Sequence, residues 1–410
     1  MVVGNALEFY DFLTYAFFAV QIGRTFFPAQ GPSSSLLLSL ATFGAGFFTR
    51  PLGGVVIGRM GDRLGRKPAM LLSFSLMGVA MTGLALTPSY AAIGVAAPIM
   101  VLGFRLVQGF ALGGEVGPTT AYLIEAAPIE KRGLYASMQY STQGFAVLCA
   151  GIIGAVLASV MDEAALDAWG WRIAFLIGTL IVPFGLWIRR RLPETLHAAV
   201  AAVPSDGAVP AEGPYRRAAA LGLVMLASGT IAAYVMDYMT TFAIATLHMR
   251  ANVAFGAIVI VGLSDTCLAP VSGRLSDRIG RKPMMIVPWA LLLVTVVPAF
   301  AIIAHFASTA ALFGATAVLA VLNTLGSTPV LITLTESLPA RIRSGTLAIT
   351  YALAVSTFGG SAQFIVTWLI AVSHSPLAPA WYMAAAVAIG LAAMIATRET
   401  APARQPFRPG

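Results

Sequence analysis

Charged side chains are scarce in this chain, at 10% of residues, where soluble globular domains carry about a quarter. Cysteine is scarcer. Cys149 and Cys267 are the only two, and each falls inside an apolar run, which excludes a disulfide framework and a cysteine metal site. His197, His248, His305 and His374 sit at the ends of apolar runs or between them, so none is placed as a proton relay in mid-span. HExxH, GxSxG and GxxxxGK[ST] patterns are missing, and with them any sequence support for zinc hydrolysis, a serine nucleophile or ATP hydrolysis. The chain is therefore not expected to be an enzyme, and no metal or organic cofactor is predicted.

What is abundant is apolar sequence, at 58% of residues. Val2–Phe27, Ser33–Ile57, Ala69–Leu86, Ala91–Phe110, Leu134–Met161 and Trp171–Ile188 precede a polar stretch at Arg189–Arg217. Ala218–Leu247, Ala251–Val271, Met284–Ile303, Thr309–Leu334, Thr346–Val372 and Ala380–Ala396 follow it. Runs of about 20 apolar residues cross a hydrocarbon core as helices, and their continuity argues against a barrel of alternating strands. The expectation is an all-α membrane protein of twelve transmembrane helices in two sets of six. Its predicted parts are an N-terminal bundle at 1–190, a linker at 191–217, a C-terminal bundle at 218–400 and a tail at 401–410. The N-terminus opens into an apolar segment carrying Glu8 and Asp11 without a small-residue cleavage pattern, so it reads as a retained helix.

The net charge of +8 is a matter of placement. Most of the Lys and Arg fall in one alternate set of loops, while Arg24, Arg172 and Arg250 lie toward the other side and Arg50 and Arg105 within spans. That bias predicts cytoplasmic termini and a cytoplasmic linker, and it leaves no nucleic-acid footprint.

Two landmarks repeat. GRMGDRLGRKP at 58–68 returns as GRLSDRIGRKP at 273–283, and Glu125, Pro128 and Arg132 return in register as Glu336, Pro339 and Arg343. Basic loops resemble one another by chance in Arg and Lys, but not in Gly, Asp and Pro as well. Duplicated six-helix halves predict a transporter whose site lies between two bundles near the midplane. Asp62 and Asp277, each flanked by Arg beside glycine-permitted turns, suit a weak latch in which a carboxylate pairs with loop arginines and a facing helix N-terminus.

Charges inside spans are costly, roughly 2.5–3.5 kcal/mol each at a helix centre, and functional by default. Glu8, Asp11, Arg50, Arg105, Glu115, Asp237 and Asp265 are such residues. Spacing puts Glu8, Asp11 and Tyr15 on one face, as it does Arg105 with Gln108, and Gln139 with Gln143. Tyr234, Asp237, Tyr238 and Thr241 form a polar stripe, and Asn323 adds a carboxamide in a later span. Both intramembrane arginines belong to the first half, so an anionic substrate is expected to find its positive pole there, with Asp11, Glu8 or Glu115 taking a coupling proton. Gly109, Gly113 and Gly117, with Gly54 and Gly58, predict close helix packing.

GRMGDRLGRK resembles the signature between helices 2 and 3 of the major facilitator superfamily, with the second copy between helices 8 and 9. RLVQG at 105–109 is similar to that superfamily's intramembrane arginine motif, and RLPET at 191–195 to its helix 6 exit. Within it, GNALEFYDF at 4–12 and RPLG at 50–53 resemble the metabolite:H+ symporter family, and GRTFFP at 23–28 resembles its citrate and tricarballylate branch. Phe9 departs from the tryptophan many members carry. The resemblance implies a monomeric bacterial inner-membrane symporter that imports a small organic anion with protons. It also implies that the duplicated loops close the cytoplasmic side, Asp62, Arg63, Arg66, Asp277, Arg278 and Arg281 working with Glu125, Arg132, Glu336 and Arg343. Sodium as coupling ion, a proline- or betaine-like zwitterion and a shikimate-like acid stay open as alternatives. A non-transporting membrane sensor needs an output domain for which linker and tail leave little room.

Overall fold

The computed structural model describes residues 2–28, 31–64, 66–113, 123, 127–191 and 215–401. Glu115, Glu125, most of the linker and residues 402–410 lie outside them, as do the side chains of Glu8, Asp62, Arg63 and Arg66. Among the described residues there is no strand. Backbone polar groups have no water to bond in hydrocarbon, and helices satisfy them internally.

The first half comprises α1 (Val2–Phe17), α2 (Ala19–Phe26), α3 (Pro32–Phe48), α4 (Arg50–Leu64), α5 (Arg66–Leu86), α6 (Ala96–Leu112), α7 (Arg132–Val160) and α8 (Trp171–Arg191). The second comprises α9 (Tyr215–Asp237), α10 (Ala251–Ile279), α11 (Arg281–Phe306), α12 (Thr309–Ser337), α13 (Ala340–Ala354), α14 (Gly360–Ser373) and α15 (Ala378–Ala396). Eight helical runs among the described residues are long and apolar enough to cross a membrane, and Leu71–Leu86 and Ala96–Leu112 are shorter apolar helices. Large apolar side chains point outward, Phe48 at 82% and Leu180 at 76% exposed, as a lipid-facing surface requires.

Breaks in the spans carry meaning. Arg50 precedes Pro51, which lacks the amide hydrogen an unbroken helix needs, so α3 ends at Phe48 and α4 begins at Arg50. The hydroxyl of Thr49 in the gap donates to the Leu106 carbonyl of α6, 2.7 Å away. Leu166–Gly170, Phe242–Thr246 and Val355–Gly359 are π-helical turns, the last joining α13 to α14.

The two halves meet along α7 and α10, which touch from Gly133 beside Gly273 at one end to Gly151 against Val259 farther along. Phe18 packs on Phe255 with ring centroids 4.8 Å apart, and Gly44 of α3 lies against the Gly360 carbonyl of α14. α3 and α4 approach α6 closely, as the spacing of Gly54 and of Gly109 with Gly113 predicts. A methyl group on Gly109 would strike the Gly46 carbonyl, so only glycine fits there. Gly58 meets nothing within 4 Å among the described residues, and Gly117 lies outside them.

Candidate substrate site and latch

Arg105 is fully buried one turn before Gly109. Its Nη1 donates to Gln108 Oε1 at 2.7 Å and its Nη2 to the Phe43 carbonyl at 3.4 Å. Gln108 Nε2 in turn donates to both carboxylate oxygens of Asp11, at 2.8 and 2.7 Å. A guanidinium only donates and a carboxylate only accepts, so the carboxamide is the one group of the three that can serve both neighbours. Arg105 and Asp11 are thus linked through Gln108 without a direct ion pair among the described residues.

Aromatic faces supply the rest of the solvation. The Arg105 guanidinium carbon lies 4.3 Å from the Phe12 ring centroid, 4.6 Å from Tyr15 and 5.0 Å from Phe43. Arg50 lies 4.4 Å from Phe12 and 4.2 Å from Phe47. Phe12 therefore serves two guanidinium groups, and desolvated contacts of this kind contribute about 2 kcal/mol each. The Tyr15 hydroxyl donates to the Ser39 carbonyl at 3.4 Å, which fixes the third ring.

A cavity of about 130 Å³ lies between the halves. From α7 it receives Gln139, Tyr140 and Gln143; from α9 Tyr234 and Asp237; from α10 Asp265; and from α12 Asn323. Tyr351 completes the wall from α13. Polar pairs cross the bundle boundary here, Tyr140 with Asn323 and Tyr351 with Gln143. The Thr324 hydroxyl donates to Asp265, and Ser327 to Asn323 at 3.2 Å. Arg105, Arg50, Gln108, Asp11 and Tyr15 are not in this wall. The arginines lie behind it, Arg105 over Phe43 and Arg50 over Phe47, and these two rings pack on the cavity-facing Tyr234 at 6.2 and 5.9 Å. Of the predicted stripe on α9, Tyr234 and Asp237 face the cavity. Tyr238 instead accepts from the Thr367 hydroxyl at 2.9 Å, and Thr241 is buried away from the wall.

The second copy of the duplicated motif ties the two halves together through hydrogen bonds. Asp277 accepts from the backbone amides of Gly133 at 2.8 Å and Leu134 at 3.0 Å, the first turn of α7 across the bundle boundary. A carboxylate at a helix N-terminus is favourable on both hydrogen-bond and dipole grounds. Arg281 pairs with Asp277 at 2.8 Å and with Glu336 at 2.9 Å, and donates to Ser276. Gly280 turns the chain at φ 116°, a conformation side chains resist. Arg343 bonds the Leu338 carbonyl, and Arg278 and Lys131 border an open groove beside Asp277.

Sequence reasoning missed Glu399. Its carboxylate accepts from the amides of Arg281 at 2.8 Å and Lys282 at 3.0 Å, capping α11, while neighbouring Thr400 donates to Glu336 at 2.7 Å. Burial opposes ionisation, yet the amides of Ala401, Arg281, Lys282 and Thr400 outweigh it and hold this carboxyl below its ordinary range. Its only sequence signal is an acid just after the last apolar run. Tyr140 and Tyr351 were missed because only the packing of separate helices brings their phenols to Asn323 and Gln143.

The fold agrees with what known proteins show. The model of the Major Facilitator Superfamily matches residues 3–362. The chain belongs to that superfamily. It is a multi-pass membrane transporter of the twelve-helix fold and not an enzyme. It is 35% identical to a citrate-proton symporter of Klebsiella pneumoniae, over 95% of this chain and 88% of that one. It is also 35% identical to an alpha-ketoglutarate permease of Escherichia coli, over 88% and 84% of the two chains, and 30% identical to a proline/betaine transporter of the same organism, over 97% and 82%. Among solved structures, the partially occluded, inward-open xylose transporter XylE of Escherichia coli superposes with a TM-score of 0.74 at 15% identity. That match covers 96% of this chain and 94% of the other, and is a likeness of fold alone.

Proposed function

We propose that this superfamily member imports a small organic acid, a di- or tricarboxylate such as citrate or tricarballylate, by proton symport with alternating access. The reading places it as a monomer in a bacterial inner membrane, with both termini and the linker 191–217 in the cytoplasm and bundles at 1–190 and 218–400. The observation that carries it is the Asp11–Gln108–Arg105 string. A guanidinium is kept dry and charged, tied to a carboxylate through one carboxamide.

A proton on Asp11 turns one of its acceptor oxygens into a donor and costs it one bond from Gln108. The carboxamide rotates so that its oxygen takes the new O–H, and Arg105 loses its side-chain acceptor, keeping only the Phe43 carbonyl. A substrate carboxylate replaces it, with the bidentate fit a guanidinium offers and an ammonium does not. Tyr234, as the ring between Arg105 and the cavity, is the side chain that must move. Gln139, Gln143 and Asn323 supply carboxamides to the rest of the substrate, and Glu8, Glu115 and Arg50 assist proton transfer and charge balance. The latch biases the two end states by contacts weak enough to break in each cycle.

Uptake into proteoliposomes tests this. Labelled citrate should accumulate under an inward proton gradient with no sodium present, and tricarballylate should compete. Competition by glycine betaine and none by citrate would instead support the zwitterion reading, which Asp237 in the cavity wall favours.

A further inference from the structure

The cavity wall carries charge of one sign. Asp237 and Asp265 both face it, and no Lys, Arg or His is among its lining residues. Asp265 has the Thr324 hydroxyl as donor. Asp237, only 8% exposed, has no hydrogen-bond donor or ion-pair partner among the described residues, and its electrostatic neighbour is Asp265. The other titratable groups packed around the pair are phenols: Tyr140 of α7, Tyr234 of α9 and Tyr351 of α13. The two arginines stand behind the aromatic layer.

Two carboxylates in one poorly hydrated wall repel each other, and a buried acceptor without a donor is costly by itself. An organic anion entering the same space brings further negative charge. One proton relieves all three, since it removes a charge and gives the unpartnered carboxyl a donor. We infer that Asp237 and Asp265 form a second proton-binding centre, in the C-terminal bundle, which is loaded before the anion enters and unloaded when it leaves. The inference rests on the symport reading and concerns how many protons travel. Asp11 carries one through the arginine string, and the Asp237–Asp265 pair carries at least one more.

The test uses the full chain reconstituted in liposomes, with the proton-to-substrate ratio taken from the membrane potential and pH gradient that just balance a known citrate gradient. Asp237→Asn and Asp265→Asn should each lower that ratio by about one, in whatever exchange of internal for external citrate each variant retains. An unchanged ratio in both variants overturns the inference. So does loss of exchange in both while they remain monodisperse, since the pair then serves substrate binding or structure. Infrared pH-difference spectra of the Asp11→Asn protein provide a readout that needs neither variant. A protonated-carboxyl band should persist there, and its absence overturns the inference. A wild type that moves no organic acid defeats the proposed function and leaves the infrared band to decide on the pair.

Discussion

In the first bundle the charged centre is Arg105, closed off by Phe12, Tyr15 and Phe43; in the second it is Asp237 and Asp265, open to the cavity. The halves share a duplicated motif, yet they keep opposite charges under opposite conditions. A guanidinium keeps its charge almost regardless of surroundings, so the first half can bury it against π faces without losing it. A carboxylate changes state with its surroundings, so the second half leaves it where an ion or substrate can reach it. Duplication supplies the scaffold, and divergence of a few side chains divides the work.

The sharpest way to break this contrast is to replace the permanent charge. Arg105→Lys should lower initial citrate uptake at least 100-fold, because an ammonium cannot donate to Gln108 and Phe43 while stacked on three rings. Uptake within a few-fold of wild type would mean the fork geometry is irrelevant. Phe12→Leu removes the ring that serves both arginines and should cost uptake about 10- to 100-fold, at roughly 1.4 kcal/mol per factor of ten, with folding checked by thermal denaturation in detergent.

A milder effect is expected at the latch. Asp277→Asn keeps one acceptor for the α7 amides but loses the ion pair with Arg281, and should shift the population opened at this end about five- to tenfold. Distances between spin labels at Lys131 and Arg274 would measure it. Glu399→Gln should lower stability by about 0.5 kcal/mol at neutral pH. The folded Glu399 titrates below its ordinary 4.5, so its contribution is complete above that pH and is lost as pH falls through the lower folded value. The wild-type advantage over Glu399→Gln in melting temperature should therefore shrink in acid. Smallest of all, Arg24→Ala should change stability by no more than about 0.3 kcal/mol, because its bonds to Glu163 at 3.0 Å and Asp167 at 2.8 Å are solvated.

Spans and halves were legible from the sequence because a bilayer imposes length and apolarity locally. The Arg105–Gln108 pair was legible because helical spacing is also local. The same rule overreached at the end of α9, where it grouped Tyr238 and Thr241, which lie beyond that helix, with Asp237. Nothing local predicts that Phe12, Tyr15 and Phe43 converge on one guanidinium, since that depends on how separate helices pack. Glu399 was invisible for a similar reason. It caps a helix more than a hundred residues earlier in the chain, and no spacing rule reaches that far.

The π turn at Val355–Gly359 gives its span a reserve of length. Such a turn accommodates one residue more than an α turn, and each residue in a helix is worth about 100° of rotation. Drawing on that reserve would swing Tyr351 relative to Gly360 while the helix stayed continuous. The span would then act as a swivel, its far half docked on the opposite bundle at Gly44 and its near half carrying Tyr351 to the cavity.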